Sequence, residues 1–560
     1  MLRWPLAILA VAAALAMLPT RDRIPPLIAA DNAYLFTAAD RLYAGHGLTS
    51  TPPLAALQPW EWSADWAWLT QWPMGLPLLL CLIRALTGFD SVQAGQWLAL
   101  LSCSLAMVGW YAWMRSTLPR GAAAVLVSLV AAAGSVSVAA LVTPATDTLV
   151  VGLLPWLLLA AQRILERERA AASPPATIDA APAPTARPSL WLFVACGVFA
   201  GLLFWVRYAA AFAAVGVGAV LLFAAIRRQV RPGAVLAFSL GTAAPVGLLV
   251  AINAACSATS SVQQQFNLGS GIGFDFSAGM LSTAWGLWTD LPFYNHKSYS
   301  PWIFAIVAPL ATLLIVLATR EGRRRAAEYV RSPGFMLGAS AVAALFFVLI
   351  ACTTLFKGKY NYIGLERYYR PIQPLYFLVV LGPLVALRVR LLRAGTIVAM
   401  LIAAMWFVRV EWPRPYERWT AANRVRTDYG RWEHAFAPHA ADLFRWVRQH
   451  NEPTTVVFSN FHDEIALETW LPAVPLPPDR AAMARWIEAI EAARGVTIDR
   501  VLVIIDPDYH NREYYLPARD YVLRELDFVP LSDEPIGFEQ FVYTPRGKGY
   551  QLSAIGCQPE

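Results

Sequence analysis

Polar and apolar positions along this chain alternate on the scale of whole helices. Runs of about 20 apolar residues, enough to cross a bilayer as a helix, recur along it. They lie at 2–19, 92–114, 121–142, 148–165, 190–206, 208–226, 233–254, 301–319, 333–354, 371–387 and 394–410. The pattern predicts about eleven membrane spans. The first run follows Arg3, and Ala14-Leu15-Ala16 also resembles a signal-peptide cleavage site. In either case the chain beyond it emerges on the same face of the membrane. Between the first two runs, the tryptophan-rich segment 20–90 holds stretches at 31–45 and 74–87 that read as helices lying in the membrane interface.

From about 411 the pattern becomes that of a soluble domain. Apolar strand-like runs at 454–459, 500–506 and 539–544 alternate with helical patterns at 432–450, 463–470, 479–494 and 517–526. Strands interleaved with helices predict a small α/β layer domain. No glycine-rich phosphate loop follows either of the first two strands, so no nucleotide is assigned to it. The expected division is a membrane domain over 1–410 and an α/β domain over 411–560. Within the first, the Ala/Pro-rich linker 170–188 is disordered by composition.

Charge adds orientation. Arginine clusters occupy alternate connections: Arg115/Arg120, Arg163/Arg167/Arg169, Arg227/Arg228/Arg231, Arg320 to Arg331 and Arg388/Arg390/Arg393. By the positive-inside rule these connections are cytoplasmic. The N-terminus is then cytoplasmic, and 20–90, 143–147, 207, 255–300, 355–370 and everything after 411 lie outside. Composition agrees: 57% of residues are hydrophobic and 15% charged, with a mean hydropathy of +0.46, whereas soluble domains carry about 25% charged residues. The net charge of +7 lies in these connections, which fits topology and not nucleic-acid binding. Six cysteines without paired spacing suggest neither a disulfide framework nor a metal motif.

This topology gathers polar groups on the outer face. Asp31 opens the first external loop, and Asp147 stands at the top of a span in Thr143-Pro144-Ala145-Thr146-Asp147-Thr148. Arg207-Tyr208 interrupts the apolar run 190–226. Lys357, Lys359, Tyr360, Tyr362, Glu366, Arg367, Tyr368, Tyr369 and Arg370 crowd the loop before Pro371. Each has a plain reading: carboxylates cap helix N-termini, and Arg, Lys and Tyr anchor helix ends at the interface. Yet lysine is scarce in this chain, and a cationic external loop opposes the positive-inside preference. A bound anion such as a lipid phosphate would offset it.

Four motifs carry a family resemblance. Asp31-Asn32-Ala33-Tyr34 with Ala39 and Leu42-Tyr43-Ala44-Gly45-His46-Gly47-Leu48 resembles the opening of C-type (GT-C) membrane glycosyltransferases. Trp72-Pro73-Met74-Gly75-Leu76-Pro77 is similar to their interfacial helix, Thr146-Asp147-Thr148-Leu149 to their second-loop aspartate, and Arg367-Tyr368-Tyr369-Arg370-Pro371-Ile372-Gln373-Pro374 to the start of a late span. The motifs fall in family order over about residues 1–385. The group includes protein O-mannosyltransferases, the aminoarabinose transferase of lipid A and enzymes of polysaccharide assembly.

The resemblance implies a mainly α, GT-C-like polytopic fold with a periplasmic C-terminal domain, in a bacterial inner membrane. It implies an enzyme that moves a sugar from a polyprenyl-phosphate donor to a periplasmic glycan, lipid or protein acceptor, with inversion. Asp31 would be the general base, and Asp147 would orient the acceptor or help hold a divalent cation. Arg207, Lys357, Lys359, Arg367 and Arg370 would bind the donor phosphate, and Tyr34, His46, Tyr208 and Tyr368 the substrates. A divalent cation, Mg2+ or Mn2+, is open. Many relatives carry a second carboxylate directly after the first aspartate, where this chain has Asn32. The absence of any Asn-x-Ser/Thr sequon suits a bacterial source. The alternatives are a lipid-linked-sugar transporter or flippase and a non-catalytic envelope-assembly protein. Transporters usually hold ionisable groups at mid-membrane and show internal repeats, neither of which the sequence displays.

Overall fold

A computed structural model describes residues 30–51, 66–118 (71 apart), 146–172, 187–256, 278–290, 306–355 (319 apart), 368–386, 395, 398, 440–505 (451, 478 and 479 apart), 529–530 and 539–543. In chain order its helices are α1 (Ala30–Tyr43), α2 (Gly75–Thr87), α3 (Ser91–Thr117), α4 (Thr146–Ala172), α5 (Leu190–Val206), α6 (Ala211–Ile226), α7 (Pro232–Cys256) and α8 (Ala278–Asp290). They continue as α9 (Ala308–Ala318), α10 (Arg320–Val330), α11 (Pro333–Leu355), α12 (Gln373–Tyr376), α13 (Gly382–Ala386), α14 (Ala440–His450), α15 (His462–Thr469) and α16 (Arg480–Arg494). Strands are β1 (Thr49–Ser50), β2 (Ala67–Trp68), β3 (Thr455–Ser459), β4 (Ala473–Pro475), β5 (Arg500–Ile505), β6 (Val529–Pro530) and β7 (Glu539–Tyr543). The expected spans 2–19, 121–142 and, but for 395 and 398, 394–410, the linker over 173–186 and the helix at 517–526 lie outside the described residues.

The chain folds as two compact units. One comprises Met1–Arg23, Gln96–Ile252 and Ser261–Trp419; the other comprises Ile24–Gly95, Asn253–Ser260 and Thr420–Glu560. Residues 24–95 group with the C-terminal segment, because α1 packs along α15.

The first unit is a helical bundle. Among the described residues of the chain, five helices are long and apolar enough to cross a membrane: Ser91–Thr117, Thr146–Ala172, Tyr208–Ile226, Pro232–Cys256 and Pro333–Thr354. Large side chains on them, including Leu222, Leu236, Leu240 and Phe347, remain exposed, as suits a surface solvated by lipid. Helices without a hydrophobic drive to associate rely on close small-residue packing. Gly197 and Gly201, one turn apart on α5, admit the backbone of α7 so closely that an added methyl would collide with the Phe238 carbonyl and with Pro245. α3 and α4 are tied by Trp156 Nε1, which donates to the Leu105 carbonyl (3.0 Å), and by Ser116 Oγ, which donates to Gln162 (2.9 Å).

Three features of this unit differ from expectation. The arginine-rich stretch 320–331, expected as a connection, is mostly helical, because Glu321, Arg324, Arg325 and Glu328 are spaced to pair along one helix face. The span expected at 371–387 is broken into a 3-10 turn (Arg370–Ile372), α12, a π turn (Phe377–Leu381) and α13. Pro371 and Pro374 remove backbone donors at its start. At the π turn, Tyr329 Oη donates to the Leu378 carbonyl (2.8 Å). α8 was not anticipated inside the loop 255–300: its apolar run is short and interrupted by Ser, Thr and Gly.

The second unit holds a five-stranded sheet in the order β4-β3-β5-β7-β6. β3 runs parallel to β4 and β5, while β7 is antiparallel to β5 and β6. β3 is buried along its whole length, which explains its continuous apolar run in place of alternation. β4 and β6 have three and two residues, too few to leave a period in the sequence.

Candidate active site

In the bundle, the break at Arg207 creates the candidate site. α5 ends at Val206, Arg207 is extended (φ −156°, ψ 127°), and a 3-10 turn at Tyr208–Ala210 restarts the helix. The break turns the Arg207 side chain toward the start of α4. Its Nη1 lies 2.5 Å from Asp147 Oδ1 and donates to Thr146 Oγ1 (3.0 Å). Its guanidinium also stands over the Tyr368 ring, 4.7 Å from the centroid. Both charged side chains are mostly buried, Arg207 at 14% and Asp147 at 9% exposure. Asp147 is in the first turn of α4, where a helix N-terminus also favours a carboxylate. Tyr208 packs against Phe204, 5.1 Å between rings.

The chain after Tyr368 links this charged cluster to an apolar groove. The turn Arg370–Ile372 packs on α4, and Arg370 itself is half-buried. Tyr369 is fully buried beside Phe346 (6.1 Å), and burial raises its phenol's pKa, so its hydroxyl stays protonated. Trp288 Nε1 donates to the Ile372 carbonyl (3.1 Å), and its ring meets Tyr376 edge-on at 5.4 Å. Trp288 and Phe346 also line a groove of about 580 Å³, with Leu281, Trp285, Val342 and Val379.

The second unit carries Asp31 in the first turn of α1; its side chain lies outside the described part. α1 ends in a Schellman motif. His46 N–H bonds the Arg41 carbonyl (2.9 Å) and Gly45 N–H the Leu42 carbonyl (3.1 Å), with Gly45 at φ +84°. Gly45 thus serves as the left-handed cap, and the His46 side chain is exposed. Asp40, the next carboxylate on α1, is engaged by Arg84 and Ser91, pinning α1 to α2 and the start of α3. Burial lowers the Arg84 guanidinium's pKa, and the charge of Asp90 partly restores it. Tyr34 is buried. It shares a hydrogen bond of 2.5 Å with His462 Nε2 and stacks on Trp72 at 4.5 Å.

Of the residues proposed from sequence, Asp147, Arg207, Tyr208, Tyr368 and Arg370 therefore belong to one neighbourhood of the bundle. Asp31, Tyr34 and His46 lie on or just after α1 in the other unit. Lys357, Lys359 and Arg367 lie outside the described residues. The sequence reading missed Trp288, Arg84 and His462, each defined by a distant partner and none by a local motif. Among the described residues no group of three or more His, Cys, Asp or Glu side chains is placed to hold a metal ion. Asp147 spends its carboxylate on Arg207. Among the described side chains, which do not include that of Asp31, no donor set for a metal ion is therefore assembled.

No protein-family model and no curated protein matches the sequence. Among solved structures, the crystal structure of ArnT from Cupriavidus metallidurans bound to undecaprenyl phosphate aligns over 99% of both chains, with a TM-score of 0.52 at 13% identity. The chain has the ArnT fold. ArnT from the same organism in the apo state also has a TM-score of 0.52, at 14% identity over 96% of this chain and 97% of the other. This likeness and the long apolar helices bear out the expected mainly α, polytopic fold.

Proposed function

We propose that this protein is an integral-membrane glycosyltransferase that takes its sugar from a polyprenyl-phosphate carrier. The observation that carries the reading is the continuity between the buried charged cluster at Arg207 and an apolar groove. Arg207 meets Tyr368, and the residues that follow, Tyr369, Ile372 and Tyr376, form contacts with the groove-lining Phe346 and Trp288. A phosphate bearing a long hydrocarbon tail has that division of polarity. The ArnT structure bound to undecaprenyl phosphate supports the same class of donor.

Arg207 and Arg370, with Lys357, Lys359 and Arg367 of the same loop, take the phosphate, and the polyprenyl chain lies along the groove. Asp147 holds Arg207 in place before the donor arrives. Because it neutralises that guanidinium, phosphate binding draws on the other cations of the loop as well. The leaving phosphate requires charge stabilisation and no proton, and fixed cations supply it. Asp31 accepts the proton of the acceptor hydroxyl as its oxygen attacks the anomeric carbon, and the glycosidic bond to phosphate breaks with inversion. The site faces the periplasm of a bacterial inner membrane, on the arginine-poor side of the chain.

Deleting the gene should accumulate one polyprenyl-phosphate sugar and leave one envelope glycan, lipid or protein without its decoration. Normal lipid-linked sugars and glycans in that strain would sink the reading. Asp31→Asn should fold and lose about 10²–10⁴ in turnover, the usual worth of a general base. Near-normal turnover would remove Asp31 from that role.

A further inference from the structure

The carboxyl end of a parallel strand is where an open α/β sheet ordinarily presents a ligand crevice. At the end of β3 the chain turns through Ser459, whose Oγ accepts from the Phe461 N–H (3.1 Å), and starts α15 at His462. Every residue of α15 is buried. His462 is 1% exposed, and its Nε2 lies 2.5 Å from Tyr34 Oη. The two rings also meet edge to face, 5.6 Å apart. The Tyr34 ring stacks on Trp72, and its backbone carbonyl accepts from Ser50 Oγ (3.0 Å). Tyr34 is thereby held by three separate stretches of chain. It stands one helical turn after Asp31, about 4.5 Å further along the axis.

We infer that His462 is a positioning residue for Asp31, acting through Tyr34: the α/β sheet uses the end of β3 to grip the helix that carries the base. α15 packs along α1, and such packing alone tolerates small rotations of one helix against another. A short hydrogen bond between two buried rings does not. It fixes the rotation of α1 about its axis, and a residue three places earlier turns with it. This inference rests on the reading of Asp31 as the base. It assigns Tyr34 a structural task in place of the substrate contact expected from sequence.

The test uses the full chain in lipid nanodiscs with the polyprenyl-phosphate sugar that accumulates in the deletion strain. Each variant is first shown to be folded and monodisperse. Misplacing a reacting group by about 1 Å costs on the order of 100-fold, so His462→Ala should lower kcat by about 10–100-fold. KM for the donor should stay within about twofold, because ground-state binding is untouched. Tyr34→Phe should match it, and the double variant should be no worse than either single one, as for residues acting through one contact. His462→Gln keeps a hydrogen-bonding group and should recover most of the rate. Amide exchange across 31–43 should quicken in His462→Ala while that of 146–172 is unchanged.

Wild-type kcat in His462→Ala, multiplying losses in the double variant, a glutamine variant as poor as the alanine one, or unaltered exchange in α1 would each overturn the inference. Asp31→Asn, run alongside, separates the two readings. If it turns over normally, the base assignment has failed. If it is inactive while His462→Ala is not, only the positioning role has.

Discussion

Asp147 and His462 are both nearly inaccessible, but they are held by different means. Asp147 sits at a helix start in the bundle and meets a single opposite charge across a helix break. The Glu168–Arg231 pair (3.2 Å) repeats the device in the same bundle. His462 instead belongs to a helix buried along its whole length, and it meets the phenol of Tyr34, 428 residues away. In the bundle, charge is admitted in pairs at helix ends, and helix middles are packed by apolar and small residues. In the other unit, polar groups are drawn into the core, where they specify which surfaces meet. A buried pair is costly to break because the survivor keeps its charge. A buried neutral hydrogen bond is cheaper to break, but what it loses is orientation.

Substitutions of graded severity test this contrast. The most severe should be Gly201→Leu, because the α7 backbone and Pro245 already occupy the space a side chain would need. The expectation is no monodisperse protein in detergent by size-exclusion chromatography, and recovery of normal yield would show that α5 and α7 can separate cheaply. Next is Arg207→Ala, which leaves Asp147 buried without its counter-charge and should cost about 3–5 kcal/mol. Thermal unfolding in detergent should show the loss, and adding Asp147→Asn should recover much of it. If the double variant is no better, the pair is not what stabilises the helix break.

Tyr34→Phe should cost less, about 1–3 kcal/mol for the polar partner it leaves buried, with its larger effect on turnover. A stability loss matching that of Arg207→Ala would erase the distinction between the units. The smallest effect should come from Gly45→Ala. Its φ of +84° is left-handed, and nothing lies within 4 Å of the added methyl. The cost should be backbone strain alone, about 1–2 kcal/mol, read from the same unfolding curves.

Much of the bundle was readable from hydropathy. The run expected at 190–206 is a helix with those bounds, and the neighbouring run at 208–226 appears as a 3-10 turn leading into α6. The spans at 92–114, 148–165, 233–254 and 333–354 differ from the observed helices mainly at their ends. The break at Arg207 was readable too, since a guanidinium inside an apolar run has to leave it. The internal irregularity of 370–386 was not, because the π turn is accommodated by Tyr329, a residue from another helix. The candidate site divides in the same way. Asp147, Arg207 and Tyr368 stood out as charged or aromatic residues at the ends of apolar runs, whereas His462 lay in a stretch that reads only as an ordinary amphipathic helix start.

The sequence by itself determined where most of the long apolar helices run, which connections carry arginine, and that about the last quarter of the chain changes to strand–helix alternation. Those properties depend on local composition and on the fixed rise of a helix. Tertiary structure alone decided that Arg207 points to Asp147, that the strand order is β4-β3-β5-β7-β6, and that residues 24–95 pack with the C-terminal segment. It also decided that Tyr34 is gripped by His462. Partners so far apart along the chain leave no periodic trace in it, and only the packing of their helices brings them within hydrogen-bonding distance.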